Sequence, residues 1–226
     1  MLQLLRALIH IQVNRMCPAA TTGRPRRASV DEILDAIIHV VRTGCQWRSL
    51  RPGTVSHITV FKSMHRWMRM RVFENAYQCL LSLYARRRRP KYYCIDSSFV
   101  KSIYGRDCVG RNPTDRGRKA SKLSVVVDDR GVLHALHSTA ANRSDMKLLQ
   151  PTLAKMMTRV PNLELYADKG YDSRANRSHC TRAGFKDRIF KRRACNGRRT
   201  HAKRGVIERF GSKQRASWHD AGRFAA

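Results

Sequence analysis

Tyr92 to Val100 reads YYCIDSSFV. A short apolar and aromatic run of this kind predicts a buried strand, and Asp96 lies in its middle. A lone carboxylate there needs an ionic or metal partner, because an unpaired buried charge is costly. Two acidic residues downstream qualify. Asp168 ends a second strand-like run, LELYADKGYD from Leu163 to Asp172, and Glu208 lies in a segment of helical spacing.

The 226 residues are enough for one large domain or two small ones. Forty-six Lys and Arg against sixteen Asp and Glu give a net charge of +30, spread along the whole length. Such a field attracts polyanions. On charge alone, a nucleic-acid-coating protein and an enzyme acting on DNA weigh equally. An anionic membrane surface is disfavoured, since no basic amphipathic helix with an aromatic face stands out, and no segment reaches the ~18 apolar residues of a membrane span. The first residues, LQLLRALIHIQV, are broken by Arg6 and read as a helix rather than a signal peptide. Seven scattered cysteines form neither a CxxC pair nor a zinc-ligand spacing, so they are read as reduced, small apolar groups. His134 and His137, three apart in a strand pattern, point to opposite faces and are not read as a metal pair.

In SVDEILDAIIHVVRTG, Ser29 and Glu32 form a capping box, Ile33, Ile37, Val40 and Val41 an apolar stripe, and Gly44 a stop, which predicts an amphipathic helix. A second helix is expected from about Ser56, with Val60, Met64 and Trp67 on one stripe, and a third from about Phe73 to Tyr84. Three short helices with basic outer faces suit a small DNA-binding bundle, although a Trp and Met stripe is more often core than contact surface. Arg86 to Arg89, followed by Pro90, reads as a linker. Beyond it the pattern turns to strands. Gly105 to Lys119 is expected as a polar loop, either mobile or ordered by a phosphate backbone. Lys122 to Val127 and Val132 to Thr139 make a hairpin whose Asp128 and Asp129 are turn residues. Ser144 is expected to cap a helix reaching about Met157, followed by a strand to Asp168, a helix, a strand near Arg188 to Lys191 and a basic loop.

On a last helix, His201, Arg204, Glu208 and Arg215 are 3, 4 and 7 residues apart and at about 100° per residue share an arc of about 60°. Val206, Ile207 and Phe210 point away from it. An ordinary Arg-Glu pair on a solvated face satisfies the same spacing.

IDSS at Ile95 to Ser98, LYADKGYDS at Leu165 to Ser173 and HAKRGVIERF at His201 to Phe210 resemble the three motifs of bacterial insertion-sequence DDE transposases, the insertion sequence five group above all. GRPRR, the capped helix, TGCQWR and TVFKSMHRWMRMRVFE are similar to that group's helical N-terminal region. The resemblance implies an α/β fold: a ribonuclease H-like mixed sheet with flanking helices over residues 90–226, preceded by a small all-helical DNA-binding domain over 1–89. It implies Asp96, Asp168 and Glu208 as catalytic and metal-binding carboxylates around Mg²⁺ or Mn²⁺, with two ions expected. The implied activity is cleavage at the ends of an insertion element and strand transfer into target DNA, in the nucleoid-associated cytoplasm of a bacterium. Double-stranded DNA, as terminal inverted repeats and target, is the implied partner, and paired-end synapsis in the family suggests a homodimer.

Arg204 matches the family's Arg before the Glu, and Arg215 stands where Lys is usual; with His201, which replaces a Tyr, and Lys169 they are the expected DNA contacts. Eighteen residues follow Glu208 (226−208), and they lose the family's apolar helical pattern. That departure raises the expectation of a truncated or frame-shifted end. The rival reading is therefore an inactive relic that only binds DNA.

Overall fold

The computed structural model describes residues 2–18, 28–50, 55–101 and 107–191. The chain divides into two compact units between Arg87 and Arg88.

The first unit holds four helices, α1 (Leu2–Met16), α2 (Val30–Thr43), α3 (His57–Arg69) and α4 (Val72–Arg87). The capping box forms as the residues dictate: Ser29 Oγ accepts from the Glu32 backbone N–H at 3.1 Å, and Glu32 accepts from the Ser29 N–H at 2.8 Å. Gly44 ends α2 with φ of 67°, a left-handed conformation that costs glycine nothing. Ser56 caps α3 through the Ile58 N–H. Ile9, Val13, Ile33, Leu34, Ile37, Val60, Trp67, Val72 and Ala76 form the core, each large side chain contributing about 1.5–3 kcal/mol by leaving water.

Two expectations are corrected here. Val41 is 72 % exposed. At about 100° per residue it falls on the same arc as Leu34 and Ile37, but it lies in the last turn of α2, past the buried part of the stripe. Arg86 and Arg87 are the last turn of α4 rather than linker, where cationic side chains favour the helix dipole.

The second unit is a mixed six-stranded sheet: β1 (Tyr92–Lys101), β2 (Gly110–Arg111), β3 (Lys119–Asp128), β4 (Leu133–Ala140), β5 (Glu164–Ala167) and β6 (Lys186–Ile189). β3 pairs antiparallel with β1, β2 and β4, whereas β5 runs parallel to β1, and β6 parallel to β5. The order β4-β3-β1-β5-β6 is that of a ribonuclease H-like sheet. One face carries α5 (Leu149–Ala154) and α6 (Arg174–Arg182). Tyr93, Ile95, Val126, Leu149, Leu153, Leu165, Tyr171, Cys180 and Phe185 pack together there.

The hairpin turn forms as expected. Asp128 accepts from the Arg130 and Val132 N–H groups, and Asp129 accepts from the Lys91 N–H at 2.9 Å. The loop after β1 differs from expectation. Its described part is ordered by its own side chain, buried Asn112, which accepts from the Thr114 backbone and hydroxyl while β2 pairs with β3. Gly110 lets β2 lie close to β4: a Cβ on it would sit 2.9 Å from Asn142 Oδ1 and 3.0 Å from Ala140 Cβ. The expected helix from Ser144 to Met157 is also shorter. A 3₁₀ turn at Asp145–Lys147 precedes the six-residue α5. Pro151 lacks an N–H and fits only the first turn of a helix, so α5 has to begin close before it.

Candidate active site

The parallel register of β1 and β5 decides the geometry. It pairs Tyr93 with Leu165, Cys94 with Tyr166 and Ile95 with Ala167. The next residues in step are Asp96 and Asp168. The Asp168 backbone remains extended, with φ −69° and ψ 164°. Alternation turns Tyr93, Ile95 and Ser97 toward the helices, so Asp96 points to the opposite face. The same parity turns Leu165 and Ala167 inward and Asp168 out beside Asp96. Neighbouring strands lie about 4.8 Å apart, close enough for two carboxylates to serve one cation or one phosphate.

The two acids differ in setting. Asp96 is half-buried and accepts from the Ser97 N–H at 2.8 Å. Asp168 is exposed and opens a 3₁₀ turn, Lys169–Tyr171, in which the Tyr171 N–H donates to the Asp168 carbonyl at 3.0 Å. Lys169, beside it, is exposed. Glu208, His201, Arg204 and Arg215 lie outside the described residues. Among the described residues no group of three or more His, Cys, Asp or Glu is arranged to hold a metal. Two adjacent carboxylates are nonetheless the hard oxygen donors that Mg²⁺ and Mn²⁺ take, and such ions retain waters and substrate oxygens for their remaining positions.

Beneath the Asp96 position, on the helix face, lies a polar layer that sequence reading missed. The Ser97 hydroxyl donates to Asp145 Oδ1, and Lys122 Nζ pairs with the same oxygen at 2.7 Å. Lys122 is only 5 % exposed. It also donates to the Arg143 carbonyl at 3.2 Å and stands 4.9 Å from the centre of the Phe99 ring. Thr152 donates to Ser124 Oγ at 2.9 Å. Burial pushes the Tyr171 hydroxyl far above the ordinary tyrosine range, and the Asp145 and Asp96 carboxylates push the same way against the facing Ser124 and Ser97 hydroxyls. Lys122 carried a sequence signal, a lysine at a position where alternation faces it inward. Asp145 carried none, because it follows Ser144 and looks like a helix's first acidic residue.

Arg177 on α6 forms a clamp behind the Asp168 turn. It pairs with Asp172 at 2.8 Å and with Asp187 on β6 at 2.5 Å, and it donates to the Ile189 carbonyl at 2.9 Å.

Residues 87–221 match the model of the transposase DDE domain. The chain belongs to the DDE transposase family. Residues 9–77 match a second model, described for transposases of the IS4/5 family, which agrees with the group the motifs resemble. The chain is 34 % identical over 118 residues to a transposase ascribed to insertion sequence element IS402 of Burkholderia cepacia; the match covers 47 % of this chain and 54 % of that protein. It thus spans about half the length of that relative. Among solved structures, a piggyBac transposase synaptic complex with hairpin DNA aligns over 82 % of this chain and 40 % of that one at 10 % identity and a TM-score of 0.37. A simian T-cell lymphotropic virus intasome in complex with a PP2A regulatory subunit aligns over 83 % and 64 % at 14 % identity and a TM-score of 0.32. Family membership rests on the DDE match and the motif order, and domains of this family depend on divalent cations.

Proposed function

We propose that this protein is a DNA transposase that cuts at insertion-element ends and joins the freed ends to target DNA. The observation that carries the proposal is the β1/β5 register, which brings Asp96, in the middle of β1, level with Asp168, just past the end of β5. In this reading Asp96, Asp168 and Glu208 hold Mg²⁺ or Mn²⁺, with two ions suited to an in-line displacement. The ions would supply charge neutralisation at the phosphate and a more acidic bound water. Asp96, fixed by the Ser97 N–H, is the more rigid ligand. Asp168, on an exposed turn, is placed to meet the incoming strand. Water attacks the phosphorus at the element end and releases a 3′-OH, and that hydroxyl attacks a target phosphate in turn. No covalent bond to the protein is required.

Lys169, Arg204, Arg215 and His201 are assigned to the DNA backbone beside the carboxylates, the arginines through bidentate contacts. The helical residues 1–89 are assigned to recognition of the DNA ends. The domain from 90 to 226 is assigned to chemistry, and a homodimer is the expected species for bringing two ends together. A charge of +30 supports a DNA partner in both roles.

Nicking of supercoiled plasmid by the purified protein in Mn²⁺, Mg²⁺ and chelator, beside Asp168→Asn, tests the reading. Metal-dependent cleavage that vanishes in the variant is expected. Binding without cleavage under every metal condition would replace it with the DNA-binding relic.

A further inference from the structure

We propose that Asp145 and Lys122 are positioning residues that set the spacing of the Asp96 and Asp168 carboxylates from the reverse face of the sheet. The inference rests on the reading of those two acids as a metal site.

Four observations converge on Asp145. Its Oδ1 accepts both the Ser97 hydroxyl and the Lys122 ammonium. Ser97 is the strand neighbour of Asp96 and supplies the N–H that orients the Asp96 carboxylate. On the other side, Asp145 meets the turn that follows Asp168: a Cβ at Gly170 would lie 3.3 Å from Asp145 Oδ2 and 3.4 Å from Asp145 Cβ, so a side chain there would press on the carboxylate by a few tenths of an ångström. Finally, the turn carrying Asp145 is joined to α6, since Asn176 donates to both the Met146 and the Tyr171 carbonyls, at 3.0 and 2.8 Å. One carboxylate therefore touches β1 next to the first acid and the turn just after the second.

Lys122 explains why Asp145 stays. Its ammonium is fixed by Asp145, the Arg143 carbonyl and the Phe99 ring, in a place almost closed to water. A buried ammonium deprived of its carboxylate is left uncompensated, so the pair holds together strongly in one geometry. Asp145 Oδ1 is engaged by Ser97 and Lys122 on the face opposite Asp96. Asp145 thus acts on the metal only through Ser97 and the turn containing Gly170, as outer groups act on ligands in metal sites generally.

The test compares wild type, Asp168→Asn, Asp145→Asn, and Asp145→Asn combined with Lys122→Met, in the full chain. Manganese alone is the probe, titrated while the free-ion electron paramagnetic resonance signal is followed, with thermal unfolding measured in parallel. The expected result is a manganese affinity about 10- to 100-fold weaker in Asp145→Asn. In the nicking assay the metal concentration for half-maximal rate should rise by more than the saturated rate falls. The double variant removes both charges of the pair, so its melting temperature should recover while its manganese affinity does not. Recovery of both would show a merely structural pair and overturn the inference. So would an Asp145→Asn protein that binds manganese within twofold of wild type while Asp168→Asn does not bind it. If Asp168→Asn itself binds manganese like wild type, the metal-site reading fails, and this inference falls with it.

Discussion

Replacing Arg177 with Met tests how the turn carrying Asp168 is held. Met keeps the stem's bulk and removes the guanidinium, leaving Asp172 and Asp187 without their shared cation. The three side chains are 29 %, 20 % and 28 % exposed. Removing one partner of a fully buried pair costs ~3–5 kcal/mol, and charge-assisted hydrogen bonds contribute ~1.5–3 kcal/mol each. Partial exposure lets both carboxylates rehydrate, which places the loss near the lower figure, about 2.5 kcal/mol. That corresponds to about a 70-fold rise in the local opening equilibrium, at about 1.36 kcal/mol per decade. Amide hydrogen exchange reads this directly: β6 and the 168–172 turn should lose about 70-fold in protection while the centre of β3 changes far less. Arg177→Lys should recover less than half of it, because an ammonium cannot span Asp172, Asp187 and the Ile189 carbonyl at once. Equal protection in Arg177→Met and wild type would refute the clamp.

Tyr171 should govern the alkaline limb of stability. Its folded value is raised above the ordinary 10.0, so the neutral form is favoured in the folded chain. The resulting stability is complete below pH ~10 and is lost as pH rises beyond it, by up to about 1.4 kcal/mol per unit. Urea midpoints measured from pH 9 to 11.5 should fall more steeply in wild type than in Tyr171→Phe, and parallel slopes would count against it. Ser29→Ala should remove the capping box of α2 at a cost of about 1 kcal/mol, read as a lower urea midpoint for the helical signal. Ser29→Asp, which can still accept from the Glu32 N–H, should lose less.

Features encoded within a few residues were legible in the sequence. Ser29, Glu32 and Gly44 bound α2 because both caps are made by neighbours, and the Asp128 turn closes through its own side chain. Asp96 and Asp168 were legible for a different reason, since an acid inside or at the end of an apolar strand is conspicuous against its surroundings. Other features depend on residues distant in the chain. Ser97 and Asp145 are 48 apart, and Lys122 and Arg143 are 21 apart. No local pattern marks either pair. α5 is shorter than expected because the apolar spacing of Met146, Leu149, Leu153 and Met157 suggests a longer helix than the backbone restriction at Pro151 allows. The loop after β1 was misjudged because its polarity concealed Asn112, whose bonds are made within the loop itself.

The pairing of β1 with β5 makes the site a matter of odd and even numbers. Asp168 comes seventy-two positions after Asp96 (168−96), and the turns between the strands can change length without altering which face either acid takes. Inside Tyr92–Asp96 or Glu164–Asp168 there is no such freedom. Inserting one residue there turns one carboxylate into the packed side while the other stays out. Inserting two restores the side but displaces the acid by about 6.6 Å along the strand, out of step with its neighbour. The parity of two five-residue stretches therefore decides whether both acids face the same side.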